Sequence, residues 1–96
     1  MTGYVLSPRA QADIEDIWDY SATKWGVKQA EIYIRKIQVV IEHVAAEPGI
    51  ARSCDAIRLG YWKYPAGSHV IFFKLTPGGI NVIRILHGRM DFERHI

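Results

Sequence analysis

Residues 7–49, SPRAQADIEDIWDYSATKWGVKQAEIYIRKIQVVIEHVAAEPG, carry two helical periods joined at a single glycine. Ser7-Pro8 marks a helix start. The serine hydroxyl accepts from a free first-turn N–H, and proline at the first helical position gives up a donor the helix does not need. From there Ala10, Ile14, Ile17, Trp18, Ser21 and Trp25 recur at steps of three and four and share one side. Asp13, Glu15, Asp16 and Asp19 fall mostly on the outer face and near the amino end, where the macrodipole favours them. Gly26 ends the helix, because a left-handed residue after the last turn is most easily glycine. A second helix is expected over residues 27–47, with Ala30, Tyr33, Ile34, Ile37, Val40, Ile41 and Val44 on its apolar face, and Pro48-Gly49 stops it. Two helices joined by so short a turn form an antiparallel hairpin.

On either side of the hairpin the period changes. Upstream, GYVLS alternates at Tyr4 and Leu6 and reads as a strand over 3–7. Downstream, β-rich runs predict strands over 56–61, 69–75 and 80–87, separated by Pro65-Ala66-Gly67 and Pro77-Gly78-Gly79. HVIFFKL and INVIRIL are apolar in both alternating registers, as in strands covered on both faces. The order β-α-α-β-β-β is an α+β arrangement in which the first strand joins the sheet with the hairpin laid across it. Helices on one face leave the other expected to meet a partner. The end of the chain, HGRMDFERHI, reads as an exposed tail.

A chain of 96 residues suits one domain spanning 1–96, and 49% hydrophobic with 23% charged residues is a globular composition. No stretch approaches the roughly 20 apolar residues of a membrane span, and no basic segment leads into an apolar run at the start. The expectation is a cytoplasmic protein without membrane association. Cys54 is the single cysteine, so no internal disulfide forms. A net charge of +2 argues against tight nucleic-acid binding, which needs several clustered cations. Charge is nonetheless uneven: acidic residues gather early, while Arg84, Arg89 and Arg94 come late.

Several chemistries lack their residues. His43, His69, His87 and His95 are scattered without metal-ligand spacing, so no metal or other cofactor is expected. Cys54 has no surrounding catalytic motif, and Ser7, Ser21, Ser53 and Ser68 have no nucleophile elbow. Gly78-Gly79 joins two strands and does not open a helix, so it is no phosphate loop. Metal-independent RNA cleavage remains, since it needs an acid, a base and cations on the phosphate, and Arg58, Arg84, His87, Arg89 and His95 could supply them. The competing reading makes Arg84 the partner of a carboxylate and the tail a solvated edge. Trp18, Trp25 and Tyr33 read as packing between helices and sheet. Tyr61, Trp62 and Tyr64 either form a binding surface or close the end of the sheet.

Leu6-Ser7-Pro8 with Ala12, Asp13 and Ile14, then Ile17-Trp18-Asp19-Tyr20, Trp25-Gly26, Ile85-Leu86-His87 and Arg89-Met90-Asp91 together resemble the ParE branch of the RelE/ParE toxin superfamily of bacterial type II toxin–antitoxin systems. The likeness runs over nearly the whole chain. It implies a helical hairpin packed on one face of a small, mostly antiparallel sheet. It also implies an antitoxin of the ParD kind that wraps the domain and neutralises it.

The resemblance offers two activities. RelE-like members cut ribosome-bound messenger RNA, using lysines, arginines and a late tyrosine or histidine. ParE-like members lack that full set and trap DNA gyrase on cleaved DNA. This chain has no tyrosine after Tyr64 and only Lys63 and Lys74 among its later lysines, which favours gyrase poisoning without catalysis. The expected gyrase contacts are Arg58, Arg84, His87, Arg89, Met90, Asp91 and Phe92. Antitoxin contacts are expected at Ile14, Ile17, Trp18, Tyr61 and Trp62. The alternatives are a ribonuclease using His87 with Arg58, Arg84 and Arg89, and an inactivated toxin fold kept as a binding module.

Overall fold

The computed structural model describes residues 3–96. Ser7 sits in extended geometry ahead of helix α1 (Pro8–Trp25), and its Oγ accepts from the Ala10 N–H at 3.1 Å while donating to the Ile83 carbonyl at 2.8 Å. One hydroxyl therefore caps the helix and ties it to a strand 76 residues away. Gly26, at φ +96°, donates its N–H to Ala22 and accepts from Ala30, so one residue closes α1 and opens α2 (Val27–Ala46). This is the hairpin expected from the periodicity.

Strands β1 (Gly3–Leu6), β2 (Arg52–Ser53), β3 (Trp62–Ala66), β4 (His69–Thr76) and β5 (Gly79–His87) form one sheet in the order β1-β5-β4-β3-β2. β1 runs parallel to β5 and every other pairing is antiparallel. A short helix, α3 (Phe92–His95), follows β5. Ile17, Ile37, Ile41 and Val44 of the hairpin pack against Ile71, Phe73, Ile80, Val82 and Ile85 of the sheet. Burying side chains of this size contributes about 1.5–3 kcal/mol each.

A bulge decides which residues of β5 face the helices. Phe72 pairs with Arg84 but Phe73 pairs with Val82, so Ile83 is the extra residue and the alternation shifts by one. Ile80, Val82 and Ile85 face the hairpin as a result, and Leu86 packs with Phe72 on the far side.

Three expectations are corrected. Residues 56–61 form a turn, and the strand begins at Trp62 and includes Pro65. Ser53 Oγ accepts the Asp55 N–H, Asp55 Oδ1 accepts the Gly60 N–H at 2.8 Å, and the Cys54 carbonyl takes the N–H groups of Ile57 and Arg58. Short polar side chains thus satisfy the backbone locally and preclude a ladder. Pro65 is tolerated because β2 stops short of it, leaving its missing donor on an open edge. Second, the far face of the sheet is not left bare for a partner. Cys54, Ile57, Tyr61, Phe92 and Ile96 cover Phe72 and Leu86, so the supposed free tail folds back. Third, Trp25 is no core residue: it ends α1 at the hairpin tip and is 59% exposed.

Among the described residues no helix is long and apolar enough to cross a membrane, and no group of three or more His, Cys, Asp or Glu is placed to hold a metal.

Candidate functional site

Beyond Leu6 no strand among the described residues pairs with this edge of β5, and Asp13 of the first helix takes its place. Asp13 accepts the Ile85 N–H at 2.9 Å, pairing with the edge as a strand carbonyl would. The same carboxylate takes Arg84 Nε at 2.8 Å and Nη2 at 2.9 Å, while Arg84 Nη1 donates to the His95 carbonyl at 2.8 Å. The hydrogen bond that Arg84 donates to Asp13 is the main cause holding the Arg84 pKa above its ordinary value, with burial opposing it. Arg84 therefore joins α1 to the chain end across the sheet edge. Arg84 is 9% exposed, and its guanidinium makes the pairing with a carboxylate that the sequence offers as one of its two readings.

A groove of about 780 Å³ lies where the hairpin tip meets the β3–β4 turn and the end of β5. That turn is a two-residue hairpin, Gly67-Ser68, between the paired Ala66 and His69. Gly67 adopts φ +61°, and a Cβ there would stand 2.8 Å from Tyr33 Cε1. Only glycine lets the turn close on the tyrosine ring. The Tyr33 hydroxyl accepts the Ser68 N–H at 3.0 Å and lies 2.6 Å from His69 Nδ1. We assign the tyrosine proton to that second contact, which leaves the His69 ring proton on Nε2.

His69 faces His87 across the β4–β5 ladder, ring centroids 5.2 Å apart and edge to face. The Arg89 backbone N–H donates to His87 Nδ1 at 3.1 Å, so that ring also carries its proton on Nε2. Burial lowers the His69 pKa, the neighbouring His87 lowers it further, and Asp13 acts weakly the other way. On the α1 side, Lys24 Nζ donates to the Tyr20 hydroxyl at 3.1 Å and lies 5.2 Å from the centre of the Trp25 ring. Tyr20 and Trp25 meet edge to face at 6.0 Å. Among the described residues no carboxylate lines the groove.

Of the residues expected at a functional surface, His87 and Arg89 line the groove. Met90 and Asp91 are exposed beside it, Asp91 capping α3 by accepting the Glu93 N–H. Phe92 turns inward onto Phe72, ring centroids 4.8 Å apart. Arg58 lies apart in the 54–61 loop, its guanidinium 5.8 Å from the centre of the Tyr61 ring. Ile14 and Trp18 are half-buried on α1, and Ile17, at 8% exposure, is core. Tyr61 packs on the far face of the sheet and Trp62 on the hairpin face, so these neighbours in sequence do not share a patch. The phosphate-gripping set of Arg58, Arg84 and Arg89 is not assembled around His87. Tyr33, His69, Lys24 and Trp25 are what stand near it.

Sequence and fold comparisons bear on this arrangement. Residues 4–92 match the family model described as the ParE toxin of type II toxin–antitoxin systems, parDE. The chain is 52% identical over 94 residues to Toxin ParE1 of Mycobacterium tuberculosis, covering 97% of this chain and 96% of that protein. It is 42% identical over 96 residues to Toxin ParE1 of Caulobacter vibrioides, covering 100% and 99%. The fold is similar to that of a chain from the chromosomal ParDE toxin–antitoxin system of P. aeruginosa, with a TM-score of 0.78 at 16% identity over 91% of this chain and 96% of that one. A likeness with a TM-score of 0.57 at 12% identity extends to the YoeB-YefM complex of Staphylococcus aureus, over 91% and 97%. With the family model matched over almost its whole length and relatives well above 30% identity, this chain belongs to the ParE toxin family of type II toxin–antitoxin systems.

Proposed function

We propose that this ParE-family toxin binds DNA gyrase and holds it on cleaved DNA without catalysing a reaction, and that a ParD-like antitoxin neutralises it in the cytoplasm. The observation that carries the reading is the dispersal of the cations a ribonuclease would need. Arg84 is committed to Asp13, and Arg58 lies outside the groove that holds His87. The gyrase contact is assigned to His87, Arg89, Met90 and Asp91, with Arg58 as a separate point. Arg84 and Phe92 act behind them by holding β5 and the tail. Antitoxin contact is assigned to Ile14 and Trp18 on α1 and to Tyr61 and Trp62 about β3. A segment that wraps the domain suits sites on different elements and faces better than one compact docking module does.

One pair of assays tests the reading. The purified chain is added to gyrase supercoiling reactions and, separately, to ribosomes carrying message. Linearised DNA without cut RNA is expected, and the reverse pattern overturns the proposal. His87→Ala sharpens the outcome: loss of an acid or base costs a ribonuclease about 10²-fold or more, whereas a binding contact loses much less.

A further inference from the structure

The groove at the hairpin tip adds Lys24, Trp25, Tyr33 and His69 to the two residues, His87 and Arg89, assigned above to the gyrase contact. Lys24 and Arg89 bring two cations to it, and His69 and His87 bring two ring N–H donors, since Tyr33 and the Arg89 N–H engage their Nδ1 atoms. No carboxylate among the lining residues competes for these donors. Beside them Trp25 and Tyr20 stand 59% and 60% exposed, large aromatic surfaces left in water at a helix end. The volume, about 780 Å³, is that of a small-molecule site.

We infer that this groove binds a phosphate group carried next to a planar base, that is, a nucleotide, with the phosphate on Lys24, Arg89 and the two histidines and the base on Trp25. The chemistry favours phosphate over carboxylate. A tetrahedral oxyanion offers oxygens in several directions, matching donors that arrive from α1, from β4 and from the end of β5. A planar carboxylate is met best by a single forked guanidinium. An exposed tryptophan beside cations is also the pairing that nucleic-acid sites use to stack bases without reading their sequence. The ligand's source is either a free nucleotide or the phosphorylated end of a strand. The inference is independent of the proposed target, because its test contains no gyrase and its probes lack the 2′-hydroxyl that ribonuclease chemistry needs.

The test is titration of the full chain with 5′-dAMP, 2′-deoxyadenosine, inorganic phosphate, a 5′-phosphorylated deoxyhexanucleotide and a Glu-rich hexapeptide, following histidine and tryptophan ring signals by NMR. The nucleotide is expected to move the His69, His87 and Trp25 signals and to bind at least about ten-fold more tightly than the nucleoside, the scale of lost charge-assisted hydrogen bonds. Lys24→Ala and Arg89→Ala, both at exposed positions, should each weaken it about three- to ten-fold with the backbone spectrum unchanged. Trp25→Ala should erase the preference for dAMP over inorganic phosphate. Tighter binding of the hexanucleotide than of dAMP assigns the source to strand ends, and the reverse assigns it to free nucleotide. The inference is overturned by unmoved signals at millimolar dAMP, by equal binding of nucleoside and nucleotide, or by a hexapeptide that binds more tightly than either phosphate ligand.

Discussion

The Asp13 carboxylate and the Arg84 guanidinium meet in a two-pronged ion pair, Nε to Oδ2 at 2.8 Å and Nη2 to Oδ1 at 2.9 Å, between residues 71 apart in sequence. Both side chains are about a tenth exposed, at 11% and 10%, so little solvent screens the pair. Asp13 also holds the Ile85 N–H and Arg84 the His95 carbonyl, so the first helix, the last strand and the chain end depend on one contact.

Removing one partner strands the other. Asp13→Ala is expected to cost about 3 kcal/mol, the lower end for breaking a buried pair. Arg84→Met keeps packing volume and should cost less, while the double variant should lose less than the two single losses added. Urea unfolding of the four proteins checks this. Because the Arg84 pKa is raised in the fold above an already strongly basic ordinary value, its contribution is complete at neutral pH and fades only in strong alkali, so the difference between wild type and Arg84→Met should be flat from pH 6 to 9 on the arginine's account.

Gly67→Ala should be far worse than Gly60→Ala. Both positions have positive φ, +61° and +83°, which costs an alanine about 1 kcal/mol. At Gly60 the new methyl meets nothing within 4 Å, whereas at Gly67 it strikes the Tyr33 ring at 2.8 Å. An extra loss of about 1–2 kcal/mol is expected as Tyr33 is pushed from His69 and the Ser68 N–H. A crystal structure of Gly67→Ala should show the Tyr33–His69 contact lengthened, and equal thermal shifts for the two variants would contradict the argument.

His69 makes stability depend on pH. Its pKa is lowered in the fold from 6.5, chiefly by burial and then by His87, so the unfolded chain holds the proton more strongly. The contribution is therefore present above pH 6.5 and lost as pH falls toward the folded value. Wild type should show a lower urea midpoint at pH 5 than at pH 7.5. His69→Asn, which keeps an acceptor near Nδ1 but cannot titrate, should show a smaller drop. Tyr33→Phe, which unpairs His69 Nδ1 and the Ser68 N–H, should cost about 1–2 kcal/mol at pH 7.5.

The hairpin was legible because Ser7-Pro8, Gly26 and Pro48 punctuate an unbroken helical period, and local chemistry sets local structure there. The groove was not, for a countable reason. Pro77-Gly78 turns β4 into β5 with Thr76 opposite Gly79, and counting outward from that turn puts Leu86 opposite His69. The bulge at Ile83 adds the residue that brings His87 there instead. A bulge leaves little trace in an apolar run such as INVIRIL, where both registers look buried. Tyr33 reads as a packing residue because its ring does pack against the core, and only its hydroxyl reaches the site. The turn over 56–61 reads as a strand because Ser53 and Asp55 act from outside the β-rich run that they bend back.

Met90 and Phe92, two residues apart, should separate recognition from folding. Phe92 is half-buried, its ring 4.8 Å from Phe72, and it roofs the far face of the sheet with Ile96. Met90 is 37% exposed and follows the groove residue Arg89. Phe92→Ala should therefore lower stability by about 2 kcal/mol, roughly half the loss for a fully buried phenylalanine, and speed proteolysis of the last residues. Met90→Ala should leave the urea midpoint within about 0.5 kcal/mol of wild type. If the surface beside His87 meets the target, Met90→Ala should reduce gyrase poisoning at full stability, whereas Phe92→Ala should lose activity only in step with its folded fraction. A Met90→Ala protein that is fully folded and fully toxic would move the contact elsewhere, and Arg58 in the 54–61 loop would be the next residue to change.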